Sequence, residues 1–475
     1  MPAFDISQDW WRPSEDAAPV TEPVPDTDVA FKSLVAFTII LLLAPQEWFP
    51  ILKSLRIAFV AAILAFVAHM FDNTVQRRPV STFVPEMGIA LTLVAWSIIT
   101  IPLSYWPGGS VNELTDHFLK AIAFFWLIGT LVITRRRVSM FAWALTLCSI
   151  PIAATGLLHY QSGAFVTSHR AAVQRIAGYM GGSGLAGNPN DLALILNLLI
   201  PVTGAMMLMS RNVFLKALAA LAILLSMVTV IITFSRAGFI ALATIVLLSF
   251  IALIKRRSPG AAVAIFVAAL AVPPMLPPGY IDRLSTITDI DADKTGSAQG
   301  RLTDFSVALD VVARNPVTGV GLGQDILALN EERGPTWRSV HNVYLEYAVD
   351  LGLPGLVLFV ALLIASFRSA QQVRSRVARE PALRDLSVVA GGVQISLIAF
   401  AVEAFFHPIA YQFYFFCIGG LAIALKNTCR TELEMARIAA PSGAAPLLDA
   451  RSWPLGAGSW KLEAGSWKLE AGSSS

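Results

Sequence analysis

The chain consists of apolar runs separated by short polar segments. Most runs approach the length of about 20 residues that a helix needs to cross a bilayer core. They fall near residues 31–46, 54–71, 84–104, 117–134, 138–158, 191–209, 213–233, 237–254, 259–275, 343–367, 386–406 and 408–425. We therefore predict an all-α integral membrane protein of about 12 transmembrane helices, of which the first and ninth are short enough to be tilted or re-entrant.

Composition supports a membrane protein, since 55% of the 475 residues are apolar and 14% are charged, whereas soluble domains carry about a quarter charged residues. Residues 1–29 are acidic and proline-rich and lack the basic region of a cleavable signal peptide. Residues 427–475 contain the unit GSWKLEA twice. We predict disordered tails at both ends, the first cytoplasmic, and a membrane domain at 30–426. The scattered cysteines form neither a disulfide framework nor a metal spacing.

The distribution of Lys and Arg predicts the orientation, because short cytoplasmic loops retain basic residues. With the N-terminus inside, fifteen basic residues lie in short inner loops: Arg77, Arg78, Arg135, Arg136, Arg137, Arg211, Lys216, Lys255, Arg256, Arg257, Arg368, Arg374, Arg376, Arg379 and Arg384. Four lie in short outer loops: Lys53, Arg56, Lys120 and Arg236. We therefore predict long periplasmic loops at 159–190 and 276–341, where polar and glycine residues cluster and where chemistry is expected. The inner loops contain no glycine-rich phosphate cradle, so an ATP-driven cytoplasmic activity is not expected. No nucleic-acid partner is expected either.

Two candidate elements stand at predicted helix starts on the outer side. Residues 178–201, GYMGGSGLAGNPNDLALILNLLIP, place Asn188, Asn190 and Asp191 before an apolar helix. This pattern is typical of a helix cap, and the same amides suit a phosphate. In TFSRAGFIAL, Arg236 lies between two apolar runs. Such an arginine either reaches the lipid phosphates or binds an anionic substrate.

Two further elements lie in and after the long outer loop. Arg301 opens an amphipathic helical stretch, which Phe305, Ala308, Leu309 and Val312 continue at helical spacing, before a turn formed by Gly319, Gly321 and Gly323. His341 then stands where SVHNVYLEYAVDLGLPGL begins a helix that Leu353, Pro354 and Gly355 interrupt.

Neither Glu346 nor Asp350 shares a helix face with His341, so neither is expected to be its partner. Glu403 and His407, at i and i+4, are compatible with half a metal site, but a structural hydrogen bond is favoured.

Taken in order, GNPNDLA, FSRAGF, GR, NPVTGVGLG and HNVYLEYAVDLGLPGL resemble the O-antigen ligase-related (Wzy-type polymerase) family over residues 180–365. The resemblance implies a GT-C-like fold and glycan transfer from an undecaprenyl-diphosphate-linked donor at the periplasmic face of the bacterial inner membrane. The acceptor in this family is lipid A core, a growing polysaccharide or a protein. Lipopolysaccharide and polysaccharide biosynthesis are the implied processes.

The resemblance also implies site residues. His341 matches the family's essential histidine, Arg236 the arginine of a short outer loop, and Arg301 an arginine that opens the long loop. Ile240 stands where ligases often have Leu, a small departure that favours polymerase over ligase.

We predict His341 as the base that deprotonates the acceptor and Arg236 and Arg301 as ligands of the diphosphate, with Arg338 as a weaker auxiliary. Asn188, Asn190 and Asp191 form a supporting loop. No His-rich metal spacing is seen, so we expect inverting catalysis without metal or cofactor.

Two other classes of function stay open. A transporter of a small anion such as bicarbonate would also use arginines along its path, although the chain shows none of the internal repeats common in transporters. A structural subunit of an envelope complex leaves the long outer loop unexplained.

Overall fold

The computed structural model of the chain describes residues 28–49, 51–75, 84–166, 175–178, 185–255, 260, 276, 279–285, 297–377 and 383–439. Within these residues all regular structure is helical, apart from one isolated antiparallel bridge between Val166 and Arg175. The all-α class predicted from the apolar runs is confirmed for this part of the chain.

The helices are, in chain order, α1 (Val29–Leu43), α2 (Pro45–Trp48), α3 (Ile51–Leu55), α4 (Ile57–Val75), α5 (Pro85–Thr100), α6 (Pro107–Glu113), α7 (Leu119–Leu131), α8 (Arg135–Ser162), α9 (Pro189–Met209), α10 (Val213–Ile232), α11 (Arg236–Lys255), α12 (Tyr280–Ser285), α13 (Ser297–Arg314), α14 (Asp325–Arg333), α15 (Val343–Val377), α16 (Arg384–Glu403) and α17 (Phe413–Ala439). A 3₁₀ turn, Ile101–Leu103, extends α5, and a π-helical turn, Leu114–Phe118, joins α6 to α7.

The described residues contain nine helices that are long and apolar enough to cross a membrane. These candidate spans are Ile57–Val75, Pro85–Leu103, Pro107–Leu131, Arg135–Ser162, Pro189–Met209, Val213–Ile232, Arg236–Lys255, Val343–Val377 and Arg384–Glu403. These spans indicate that the protein crosses the membrane several times.

Three of the twelve predicted segments are not among these candidates. α1 is apolar but has only 15 residues, and α17 acquires Lys426 and Arg430 in its second half. The segment predicted at 259–275 lies, apart from Gly260, outside the described residues. The count of about 12 spans stays a prediction.

The centre of the bundle is α9, which packs against α8, α10 and α16. Its side chains from Leu192 to Val202 are almost all buried. α16 approaches α9 closely at Gly392, where an added Cβ would lie 2.6 Å from the carbonyl oxygen of Pro201. A small residue at this contact lets the two backbones meet, as is common between membrane helices.

Residues predicted on the same side of the membrane meet at the same end of the bundle. Arg135 and Asp385, at the starts of α8 and α16, form an ion pair of 2.7 Å. At the opposite end of α16, the carboxylate of Glu403 accepts a hydrogen bond of 2.9 Å from Asn197 of α9. The ion pair of Arg135 and the hydrogen bond of Glu403 therefore lie at opposite ends of α16.

α15 contains a break that the sequence predicts at Leu353. The break lies at Gly352, one residue earlier, where φ is 68° and ψ is −174°. A Cβ at Gly352 would lie 2.2 Å from the carbonyl oxygen of Val317. Both the positive φ and this close approach require glycine.

The chain divides into two units, residues 1–430 and 431–475. In the second unit the structure describes residues 431–439, which belong to the end of α17. This helix continues past Asn427, so the boundary that the sequence analysis placed at 426 falls within a helix. The two predicted tails lie outside the described residues, apart from residues 28 and 29 and the end of α17.

Candidate active site

His341 lies directly before α15, and the local sequence fixes its position. The side-chain oxygen of Asn342 accepts hydrogen bonds from the backbone N–H groups of Tyr344 at 2.9 Å and Leu345 at 3.1 Å. This is the geometry of a helix N-cap. The backbone N–H of Val343 donates to the carbonyl oxygen of Ala404 at 2.8 Å, which ties the start of α15 to the segment after α16.

The tautomer of His341 follows from its backbone contact. Nδ1 lies 3.0 Å from the carbonyl oxygen of Ser339, which can only accept, so Nδ1 carries the proton and Nε2 keeps its lone pair. The carboxylate of Asp325 accepts from Ser339 Oγ at 2.5 Å and from the N–H of Val340 at 2.8 Å. The backbone leading to the imidazole is therefore held in place by α14.

The environment of His341 favours the neutral ring. Burial lowers the pKa of His341 to about 4, and the positive charges of Arg301 and Arg338 act in the same direction. The carbonyl of Ser339 and the carboxylate of Asp304 oppose this shift in pKa. At neutral pH the imidazole is thus an unprotonated acceptor of hydrogen bonds and protons.

A buried carboxylate, Asp304, organises two arginines beside His341. Its exposed fraction is 1%, and it accepts from Arg338 Nε at 2.8 Å and Nη2 at 2.9 Å. Arg333, at the end of α14, donates to Asp304 and also to the carbonyl oxygen of Arg338. The fork-shaped contact of Arg338 with a carboxylate fixes its guanidinium group. Arg338, predicted to assist on the diphosphate, already uses two of its donors here.

Arg301 lies on α13, one turn before Asp304, and the predicted helix at this position is confirmed. Its positive charge lowers the pKa of both His341 and His407. The side chain is half-buried. Arg301 therefore lies close enough to both histidines for its charge to act on them.

The buried face of α13 differs from the apolar stripe seen in the sequence. Ala308 and Val311 are buried, whereas Phe305 and Leu309 are 45% and 46% exposed. An apolar side chain exposed in a membrane protein is compatible with contact to lipid, so burial in protein cannot be deduced from apolar character. Asp304 lies on the buried face and was not recognised from the sequence.

The predicted cap at the start of α9 is confirmed. Asn188 Oδ1 accepts from the N–H groups of Asn190 at 2.9 Å and Asp191 at 3.0 Å, and Asn188 Nδ2 donates to the carboxylate of Asp191. These contacts satisfy two of the amides that would otherwise be open to an anion. The cap is therefore a structural feature of this loop.

Asn190 links the start of α9 to the arginine-bearing turn before α11. Its side-chain oxygen accepts from Arg175 Nη2 at 2.7 Å and from Ser235 Oγ at 2.9 Å. Arg175 also donates to the carbonyl oxygen of Thr233 at 3.1 Å. Phe234 has a φ of 53°, so this turn is tight. Arg236 follows directly, half-buried at the first position of α11.

The glycine turn after α13 packs on the first half of α15. The N–H of Gly321 donates to the carbonyl oxygen of Asp350 at 2.9 Å. The carboxylate of Asp350 accepts from the N–H groups of Gly323 at 2.8 Å and Asp325 at 2.9 Å and from Tyr411 Oη at 3.0 Å. Asp350 thus clamps the start of α14 to α15 and has no hydrogen bond to His341, as expected from the sequence.

The carboxylate of Glu346 accepts a hydrogen bond from the N–H of Ala410 at 3.1 Å, so Glu346, like Asp350, is bonded to a group other than His341. The structural hydrogen bond favoured for Glu403 and His407 is present, and its acceptor is a backbone oxygen. His407 Nδ1 donates to the backbone carbonyl of Glu403 at 3.1 Å. Burial lowers the pKa of His407 to about 4. A second neutral imidazole therefore lies near the first.

Among the described residues no group of three or more His, Cys, Asp or Glu side chains is placed to hold a metal ion. The chain also contains an Asp-x-Asp pattern that argues against the expectation of metal-free catalysis: the alternating carboxylates of Asp289, Asp291 and Asp293. These three residues lie outside the described residues. Metal independence stays a prediction.

Sequence reasoning missed Arg175, Asp304, Asp325 and Arg333. Asp304 and Arg338 are 34 positions apart, and no motif connects them. One signal was available in the sequence. Arg338 has no acidic residue directly beside it, and an arginine that is partly buried usually pairs with a carboxylate, so a partner distant in sequence is indicated.

Comparison with known families gives two matches, each to a part of the chain. Residues 220–360 match a family model described as O-Antigen ligase. Residues 220–360 are therefore similar to O-antigen ligases. The matched region contains Arg236, Arg301, Arg338 and His341, so an O-antigen ligase-type membrane function is assigned to the part of the chain that carries them.

A second match covers a preceding part of the chain. Residues 28–189 match a family of unknown function (DUF5935). A search of the curated proteins finds no match. The two matched regions together include residues 159–189 and the long loop 276–341, but leave out Asn190 and Asp191.

Proposed function

We propose that the protein transfers a glycan from an undecaprenyl-diphosphate-linked donor to a hydroxyl group of an acceptor, at the periplasmic face of the bacterial inner membrane. One observation carries the proposal: the Nδ1 contact of His341 with Ser339 leaves Nε2 as an acceptor beside several arginines. A membrane glycan ligase or polymerase needs a base and a cationic site for a departing diphosphate, and this region offers both.

In the proposed reaction, Nε2 of His341 takes the proton of the acceptor hydroxyl. The acceptor oxygen forms a bond to the anomeric carbon of the donor sugar from the face opposite the diphosphate. The bond between that carbon and the phosphate oxygen breaks, and the electron pair leaves with undecaprenyl diphosphate. The configuration at the anomeric carbon is therefore inverted.

Arg236 and Arg301 are proposed to bind the diphosphate. Guanidinium groups stay charged and contact phosphate oxygens in pairs, which suits a leaving group that gains negative charge. Arg338 is a weaker auxiliary, because Asp304 holds two of its N–H groups. The cap at Asn188, Asn190 and Asp191 supports the site through the bond from Ser235 to Asn190, which fixes the turn before Arg236.

The periplasmic location rests on the Lys and Arg distribution and has a direct test. A single cysteine introduced at Ser297, at the start of α13, in a variant whose three native cysteines are replaced, should react with an impermeant thiol reagent from the periplasmic side. Reaction from the cytoplasmic side alone would contradict the proposal, since undecaprenyl-linked glycans are used outside.

The transfer itself is tested with purified protein, a defined undecaprenyl-diphosphate glycan and candidate acceptors. We expect acceptor-dependent release of undecaprenyl diphosphate and a glycosylated product, unchanged by a chelator. Loss of activity on chelation would instead make Asp289, Asp291 and Asp293 candidate ligands of a required metal ion.

The acceptor class is tested in a deletion strain. Long unattached chains in its surface glycans indicate a ligase, and single unpolymerised units indicate a polymerase. The small-anion transporter receives no support from the family comparison; it would be favoured by normal surface glycans together with loss of anion uptake.

A further inference from the structure

A groove on the side of the bundle runs along α8 beside α1. Its volume is about 550 Å³, within the range of about 300–1,000 Å³ that is usual for small-molecule sites. The lining is largely apolar and includes Arg136, Met140, Trp143 and Leu147 of α8 and Ile39 and Leu43 of α1. The four residues of α8 recur at three- and four-residue intervals, so they form one stripe along the helix.

The polar end of this groove carries a positive charge. Arg136 stands between two arginines with carboxylate partners: Arg135 pairs with Asp385 at 2.7 Å, and Arg137 lies 3.3 Å from Asp28. Arg136 has no carboxylate within ion-pair distance among the described residues, and its side chain is exposed. Its exposed guanidinium group places a positive charge at the mouth of the apolar groove.

The length of the groove indicates what class of molecule fits. α8 rises about 1.5 Å per residue, so Arg136 and Leu147 are separated by about 16 Å along its axis. This is about half of a bilayer core of roughly 30 Å. With Arg136 at the level of the headgroups, where the predicted topology places it, the groove reaches about the middle of the membrane, which matches one acyl chain of one leaflet.

We propose that this groove binds an anionic phospholipid, with the phosphate group on Arg136 and one acyl chain along Trp143 and Leu147. A soluble phosphate ester has no acyl chain to contact the apolar stripe. A zwitterionic lipid carries a cation in its headgroup, which would lie close to Arg136 and be repelled by it. The predicted topology assigns this lipid to the inner leaflet. The site lies at the opposite end of α8 from His159, which contacts the carbonyl oxygen of Ala177, and it is independent of the proposed transfer reaction.

Brominated lipids provide the test, because bromine quenches tryptophan fluorescence only at close contact. The full chain is reconstituted with phosphatidylglycerol or phosphatidylcholine brominated in the acyl chain. The quenching due to Trp143 is obtained by subtracting the signal of Trp143→Phe. We expect brominated phosphatidylglycerol to quench Trp143 at lower mole fraction than brominated phosphatidylcholine.

Arg136→Gln should reduce this preference about five-fold, the effect of one basic residue at an anionic surface. Arg211→Gln is the matched control, since Arg211 is an exposed arginine of another predicted inner loop and does not line the groove. Equal quenching by the two lipids, or a preference that Arg136→Gln leaves intact, would overturn the proposal. Displacement of the brominated lipid by soluble glycerol phosphate would show that the site recognises the headgroup alone. This result would also overturn the proposal.

Discussion

Nδ1 of His341 lies 3.0 Å from the carbonyl oxygen of Ser339, and this contact leaves Nε2 as the only basic atom of the ring. His341→Ala removes that atom. We expect the transfer rate to fall by about 10²-fold or more, the usual contribution of a general base. Donor binding, measured with a labelled undecaprenyl-diphosphate glycan, should be retained, because only proton removal is lost.

The matched control is His117→Ala. His117 is exposed and contacts Glu113 at 3.1 Å. The His117→Ala variant should transfer glycan at the normal rate. Full activity of purified His341→Ala protein would refute the assignment of the base.

The pH profile of transfer should reflect the low pKa of His341. Its pKa of about 4 lies below the ordinary 6.5 because of burial and the charge of Arg301. A base works when it is unprotonated, so activity should be constant from about pH 8 to about pH 5.5 and should fall only below that range. A profile of kcat/KM with a midpoint near the ordinary value would be inconsistent with the buried, arginine-flanked ring.

Arg236 should matter for donor binding as well as for rate. Arg236→Ala is expected to raise the donor KM and lower kcat, by about 10²-fold in kcat/KM. Arg236→Lys should restore only part of this loss, because an ammonium group cannot make the paired contacts of a guanidinium. Arg314→Ala serves as the control, since Arg314 is exposed and pairs with Glu332 on the surface. Equal activities of the Ala and Lys variants at position 236 would exclude paired contacts.

Asp304→Asn should destabilise the outer part of the protein. The exposed fractions of Asp304 and Arg333 are 1% and 4%, and removal of one partner of a buried ion pair costs about 3 kcal/mol. We expect a lower melting temperature in detergent and faster proteolysis of α13 and α14. Glu332→Gln, which breaks a surface pair, should leave the melting temperature nearly unchanged. A melting temperature of Asp304→Asn equal to that of the control would contradict a supporting role for the pair.

Gly352→Ala should prevent correct folding. The φ of 68° at Gly352 is unfavourable for alanine, and the added Cβ would lie 2.2 Å from the carbonyl oxygen of Val317. The variant should therefore fail to accumulate in the membrane, as measured by immunoblot of membrane fractions. Gly204→Ala is the control, because no atom lies within 4 Å of a Cβ added there. Normal accumulation of both variants would show that the break in α15 tolerates a side chain.

Several features of the site are determined by residues close together in sequence. The cap by Asn188 and the helix that contains Arg301 were predicted correctly, and the break in α15 was predicted one residue after its observed position at Gly352. Each depends on contacts within one or two helical turns, and such contacts are set by local geometry and by residue type. The identification of His341 depended on a family resemblance, because one histidine at a helix start carries little information.

The apolar runs are enough to predict a helical membrane protein, because the energy of placing a segment in lipid depends on its composition over about 20 residues. The pairing of Asp304 with Arg338, the bond from Ser235 to Asn190 and the buried face of α13 follow from the packing of the helices and are visible only in the folded protein. In a membrane protein both lipid and the protein interior accept apolar side chains. Hydropathy therefore cannot tell a buried face from a lipid-facing one, and the pairing of distant polar residues depends on how the helices pack.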